Sequence, residues 1–336
     1  MTYRLNLALQ GGGAHGAFTW GVLDVLLQDD DIEIAAITGT SAGALNGAAL
    51  KSGFVCDGRE GARANLDWLW GEVMGVHDMR LNNWIAAMTP DFVQPLMEFS
   101  PAYQMMDAVS RMSSPYAQGP FYSNPLDTIV EQFTFDAVQS DAGPDLFVCA
   151  TNVRSGKVKV FGGADICKKA VLASACLPTL FQAVEIDGKA YWDGGYTGNP
   201  ALFPLFDAKY PDDLLIVNIN PLERLDVPKT PQDIQNRINE ISFNTSLLRE
   251  LRAIEFVQRL IDQGTIPADA MKRLNIHMIA DDKLMQRLSV ASKTVPQTKV
   301  ILELKAAGQD AAHAFLDQNK AQLGKHSTVD LQAMFN

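Results

Sequence analysis

Ser41 stands in Gly39-Thr40-Ser41-Ala42-Gly43, between an apolar, β-branched run at 32–38 and a run of small residues at 42–50 that suits a closely packed helix. A serine on a sharp strand-to-helix turn is a nucleophile elbow: the hydroxyl stands clear of the chain, and glycines remove the Cβ atoms that the turn would crowd. The N-terminus of the following helix favours an alkoxide or a developing oxyanion. The chemistry such a serine serves is acyl transfer, by attack on an ester carbonyl and passage through an acyl-enzyme. By itself G-x-S-x-G is a weak signal in a chain with 25 glycines; the strand before it and the helix after it give it weight.

About thirty residues upstream lies a second glycine loop, Gly11-Gly12-Gly13-Ala14-His15-Gly16, after a strand at 4–9 and before a helix at 16–28. Strand, glycine loop and helix also suit a dinucleotide. Here the spacing is GGGxxG rather than G-x-G-x-x-G, and the acids at 29–33 do not mark a clear strand end. No Gly-Lys-Ser/Thr follows, which removes a P-loop. Consecutive glycine N–H groups converging on one carbonyl oxygen make an oxyanion hole, the reading the serine elbow on the next strand favours. A third element is Tyr191-Trp192-Asp193-Gly194-Gly195-Tyr196. Alone it reads as an Asp-Gly hairpin turn. Beside the other two, Asp193 is the candidate base for Ser41.

GGGAHG, GTSAG and a distant DGG, in that order, resemble the motif set of the bacterial patatin-like phospholipases. Ala173-Ser174 with Pro178 resembles the family's A-S-x-x-x-P segment, and Asn124-Pro125-Leu126 and Ala150-Thr151-Asn152 with Gly156 are similar to further family stretches. The resemblance covers residues 4–220 well and continues more loosely beyond. It implies a three-layer α/β/α fold with a mainly parallel sheet. It implies a Ser41–Asp193 dyad, with Gly11, Gly12 and Gly13 as the oxyanion loop and the Ala42 N–H as a further donor. His15, Gly16, Gly39, Gly43, Gly194 and Gly195 complete the motifs. One departure is His15, where the family carries Lys or Arg: a fixed charge is replaced by a titratable one.

A dyad works without histidine if the site is dry enough to raise the carboxylate pKa. The rival is a triad in the order nucleophile, acid, histidine. His277, His313 and His326 follow Asp193, and only His277, on an expected strand at 274–279, is a serious candidate. A strand histidine with a structural hydrogen bond is the stronger expectation for it.

The elements that must position these residues alternate. Strands are expected at 4–9, 32–38, 145–151, 157–161, 183–187 and 214–219, and helices at 16–28, 42–52, 60–74, 124–132, 166–174 and 232–262. That alternation implies a mainly parallel sheet covered on both faces, with both glycine loops at strand C-terminal ends. A catalytic domain is expected over 1–225 and a mostly helical region over 226–336. Residues 75–123 form an insert holding many of the chain's 12 methionines. Its Trp84, Phe99, Met105 and Met106 are read as an acyl-chain pocket, since methionine and aromatic surfaces adapt to apolar ligands.

The 336 residues suffice for a large core, and a net charge of −11 argues against nucleic acid and gives no attraction to anionic lipid. Contact with a membrane surface is therefore expected to be local and apolar. No signal peptide and no apolar run of about eighteen residues is read, so a cytoplasmic protein, peripheral at membranes, is expected. Cys56, Cys149, Cys167 and Cys176 show no disulfide or zinc spacing, and neither metal nor cofactor is expected. The function read is hydrolysis of lipid acyl esters, of phospholipase A type. An acyltransferase or thioesterase on the same site, or a silent lipid-binding protein, are the competing classes.

Overall fold

A strand buried at every position needs protein on both faces, and β7 (Asp213–Asn218) is buried throughout. In the computed structural model, which describes residues 2–75, 114–117, 122–224, 226–267, 269–288 and 297–335, it lies inside an eight-stranded sheet. Its neighbours are β1 (Tyr3–Leu9) and β8 (Asn275–Ala280), both parallel to it. Beyond β1 come β2 (Ile32–Thr40) and β3 (Asp145–Asn152), again parallel. β4 (Val158–Gly162) and β6 (Lys189–Asp193) run antiparallel to β3, and β5 (Val184–Ile186) closes a hairpin with β6.

Side chains alternate across the sheet with period two. Leu7, Leu9, Leu215 and Val217 join one core, packed by α1 (Gly16–Gln28), α2 (Ala42–Gly75), α3 (Lys168–Ser174) and α5 (Thr298–Asn319). Ala8, Leu214 and Ile216 join the other, packed by Leu247, Leu251 and Ile254 of α4 (Pro231–Asp262). Helices on both faces of a mostly parallel sheet make the three-layer α/β/α arrangement expected from the alternation. The break expected between helices at 52 and 60 is a kink: Asp57 and Gly58 leave helical geometry within α2, Gly58 at φ 59°.

One strand was not legible. Taken alone, Asp193-Gly194 reads as a hairpin turn, but the hairpin turn is Asp187-Gly188, both at positive φ (50° and 70°), between paired Ile186 and Lys189. Two consecutive positive-φ residues are what a two-residue hairpin needs to follow the twist of its strands. Asp193 instead ends β6 and caps a 3₁₀ turn over Gly194–Tyr196.

Candidate active site

β3 brings Ser41 and Asp193 together. β2 runs along it with Thr40 opposite Cys149. β4 fills the other edge over Phe147–Thr151, so β6, whose Asp193 lies opposite Ala150, must share the edge of β2. The two strands approach end to end from opposite directions. Ser41, one residue past Thr40, and Asp193 therefore converge beside Ala150.

Ser41 has φ 55°, one of two non-glycine residues at positive φ among those described. A serine in this region costs about 1–3 kcal/mol, which the surrounding structure supplies. Its N–H donates to Ser174 Oγ at 2.9 Å, so the A-S-x-x-x-P segment pins the elbow. Thr40 Oγ1 donates to the Gly198 carbonyl at 2.6 Å. A Cβ on Gly43 would overlap the Leu9 carbonyl, and one on Gly39 would lie 2.5 Å from Gly43 O. The elbow thus presses directly on the end of β1, where the glycine loop begins.

Asp193 is 1% exposed. Its Oδ1 accepts the Gly195 N–H at 2.7 Å. Burial pushes its pKa up to about 7, against the opposing pull of the Gly195 N–H and the Ser41 hydroxyl. Ser41 is thus near enough to act on the carboxyl, yet Oδ2 has no partner at hydrogen-bond geometry. Gly194 packs on the Cys149 carbonyl and accepts the N–H groups of Thr197 and Gly198.

The glycine loop lies against the elbow. A Cβ on Gly11 would fall 2.7 Å from Ser41 Cβ, and one on Gly16 would fall 2.5 Å from Ala42 Cβ. Asn46 Nδ2 ties Gly16 O to Ala42 O at 3.1 and 3.0 Å. His15 is buried at the end of the 3₁₀ turn that opens α1. The loop's donors divide. Gly11 N–H is held by Asn199 Oδ1 at 2.7 Å. Those of Gly12, Gly13 and Ala42 carry no hydrogen-bond partner among the described residues.

Behind the loop lies a set of buried amides that the motifs did not reveal. Gln10 Oε1 accepts the N–H groups of Ile219 and Asn220 and the Asn220 amide, and its Nε2 donates to Asn244 Oδ1. Asn220 Nδ2 donates to Gly11 O at 2.8 Å. α4 also supplies Ser246 Oγ to the Asn199 N–H and Glu250 to the N–H groups of Leu202 and Phe203. Burial raises the Glu250 pKa to about 7. Polar residues closing buried strands, Gln10 after β1 and Asn220 after β7, were the available signal.

His277 is fully buried, with Nε2 on Asp213 Oδ1 at 2.8 Å and Nδ1 on Thr328 Oγ1 at 3.1 Å. Both ring nitrogens serve the packing of β8, as expected for a strand histidine. His277→Ala should cost about 2–4 kcal/mol of stability, by opening a cavity and leaving the buried Asp213 with only the Gly324 N–H on Oδ1. It should leave kcat/KM on a soluble ester, per folded molecule, within about threefold; a loss as large as that of Ser41→Ala would reinstate a triad.

Trp84, Phe99, Met105 and Met106 lie outside the described residues. A groove of about 320 Å³ beside the Asp193 turn is lined by Val153, Pro178, Trp192 and Tyr196 among others. A larger one of about 590 Å³ lies between Arg259, Arg273 and Lys325, away from the site. Cys149 and Cys176 are buried free thiols, and burial pushes Cys176 up to about 12. Among the described residues no His/Cys/Asp/Glu group fits a metal ion, and no helix is long and apolar enough to cross a membrane.

Among solved structures the chain is similar to VipD from Legionella pneumophila, at 13% identity over 95% of this chain and 67% of that one, with a TM-score of 0.39. It is also similar to the ExoU–SpcU complex of the Pseudomonas aeruginosa type III secretion system, at 18% identity over 99% of this chain and 65% of that one, with a TM-score of 0.29. It thus spans about two thirds of the length of these chains, and likeness at this level carries no argument about activity. No match was found among curated proteins. Residues 7–206 match the family model described as patatin-like phospholipase. That match takes in the elbow, the glycine loop and the Asp193 turn and spans well over half the sequence: the chain belongs to the patatin-like phospholipase family, whose members are lipid acyl hydrolases.

Proposed function

We propose that this protein is a serine carboxylic ester hydrolase of phospholipase A type, working through a Ser41–Asp193 dyad. Asp193 accepts the Ser41 proton as Oγ attacks the ester carbonyl. The oxyanion forms against the N–H groups of Gly12, Gly13 and Ala42. As the intermediate collapses, Asp193 returns the proton to the departing alcohol, leaving the acyl group on Ser41. Water, deprotonated by Asp193, then attacks that ester, and as the Oγ–acyl bond breaks Asp193 returns the proton to Ser41 Oγ, freeing the fatty acid and restoring the serine. The observation that carries this reading is the pairing of a strained, elbow-borne serine with a fully buried carboxyl whose pKa sits near 7. An ordinary surface aspartate, near 4, is a weak base; one near 7 is matched to its task.

The reading is tested by fluorophosphonate labelling, mapped to Ser41 by mass spectrometry, and by product analysis on a phosphatidylcholine panel. Free fatty acid and lysophospholipid are expected. Acyl groups transferred to an added alcohol without release of acid would mark a transferase instead. The pH profile follows from Asp193. Only the ionised carboxylate accepts a proton, so kcat/KM should fall about tenfold per pH unit below about pH 7 and level off above it. A flat profile between pH 5 and 8 would remove Asp193 from the role of base.

A further inference from the structure

Six residues after Asp193, the same segment delivers Asn199 to the glycine loop. Asn199 is fully buried. Its side chain grips both peptide groups of one residue: Oδ1 accepts the Gly11 N–H at 2.7 Å, and Nδ2 donates to the Gly11 carbonyl at 3.4 Å. Asn220 Nδ2 reaches that same carbonyl from the end of β7. Asn199 is in turn fixed by Ser246 of α4, and the residues just after it by Glu250 one helical turn further on. One residue earlier, Gly198 O holds the Thr40 hydroxyl next to the nucleophile.

The segment 193–199 therefore touches every part of the site: the carboxyl at its start, the elbow through Gly198, the glycine loop through Asn199. Gly11 begins a run of three glycines, residues whose backbone is intrinsically permissive. Left alone, such a loop samples many orientations of its N–H groups. An oxyanion hole works only when its donors are fixed before the charge develops.

We infer that Asn199 is a positioning residue for the oxyanion loop. By taking up Gly11 at both ends it removes that residue from the donor set and directs the Gly12 and Gly13 N–H groups toward the substrate oxygen. It does not touch the reacting atoms itself. α4, outside the family-matched residues, becomes part of the site's framework through Ser246, Glu250 and Asn244. The inference rests on the proposed dyad chemistry for its kinetic consequence, though not for the clamp itself.

The test uses Asn199→Ala and the smaller change Asn199→Ser in the full chain. Active sites are titrated with a fluorophosphonate, so rates refer to competent molecules only. kcat per titrated site on a soluble ester should fall about 10–100-fold, the cost of misplaced rather than missing donors. KM should stay within about threefold, and a trifluoromethyl ketone that forms an oxyanion at Ser41 should lose affinity by the same factor as kcat/KM. A residue that merely stabilised the fold would lower the number of titrated sites and leave kcat per site unchanged; that result in either variant overturns the inference. Hydrogen exchange at the Gly11 amide gives a readout independent of activity. Slow exchange in the wild type, faster by about 100-fold or more in Asn199→Ala, is expected of a buried bonded amide. Rapid Gly11 exchange in the wild type overturns the clamp even if the ester chemistry stands. Protected exchange in a protein that neither labels nor hydrolyses esters would leave the clamp standing and sink the proposed reaction.

Discussion

Asp193→Asn and Ser41→Ala should each lower kcat/KM on a soluble short-chain ester by about 10⁴-fold or more, and the double variant should lose no more than either alone. Groups that act in one proton-coupled step fail as a unit, so their losses do not add. The expectation comes from register: β3 places Ser41 and Asp193 at the same level on one edge. Asparagine keeps the shape and can still accept the Gly195 N–H, but it cannot accept a proton. Stability should move the other way. Burial raises the folded pKa of Asp193 above its unfolded value of about 4, so ionisation opposes folding. The stability this group allows is full below about pH 4, declines as pH rises toward about 7, and is level above that. At pH 8 Asp193→Asn should therefore be more stable than wild type, by about 1–3 kcal/mol. Denaturant titrations at pH 5 and pH 8 check this; a variant equally destabilised at both would show that the buried carboxylate is not strained. Additive losses in the double variant would show that the two residues serve separate steps.

Gly43→Ala should destabilise the protein by more than about 4 kcal/mol and abolish activity with it. The added methyl would overlap the Leu9 carbonyl, with Leu9 C and Gln10 O close behind. All three are backbone atoms at the buried end of β1, a central strand that pairs on both sides through Leu9. None can swing away as a side chain would, so either α2 shifts and drags Ser41 with it, or the end of β1 shifts and drags the glycine loop. Gly71→Ala, in the same helix, is the control: a Cβ there meets nothing within 4 Å. Alanine's helix propensity should make that change neutral to stabilising, by up to about 1 kcal/mol. If Gly43→Ala proved as harmless as Gly71→Ala, the close approach of elbow and β1 would not exist in solution.

Much of the candidate site was legible because the signals for it are local. A strand, a sharp turn and a helix are written in about a dozen residues around Ser41, and a glycine run announces a loop whose backbone is exposed. Period-two and period-3.6 patterning gave the strands and helices and, through their alternation, a parallel sheet covered on both faces. What the sequence left open was which turn Asp193 belongs to. Asp187-Gly188 and Asp193-Gly194 are alike as dipeptides, and only pairing of β5 with β6 made the first the hairpin and the second the end of a strand. The sequence also offered Gly11, Gly12 and Gly13 as equivalent donors. Asn199, arriving from 188 residues away, separates Gly11 from the other two. The pKa of Asp193 near 7 has no counterpart in the local sequence either, because desolvation depends on everything packed around the group rather than on its neighbours in the chain. Short-range sterics and periodicity fix an element from within; register, shared hydrogen bonds and burial are properties of pairs distant in sequence, and only the folded chain decides them.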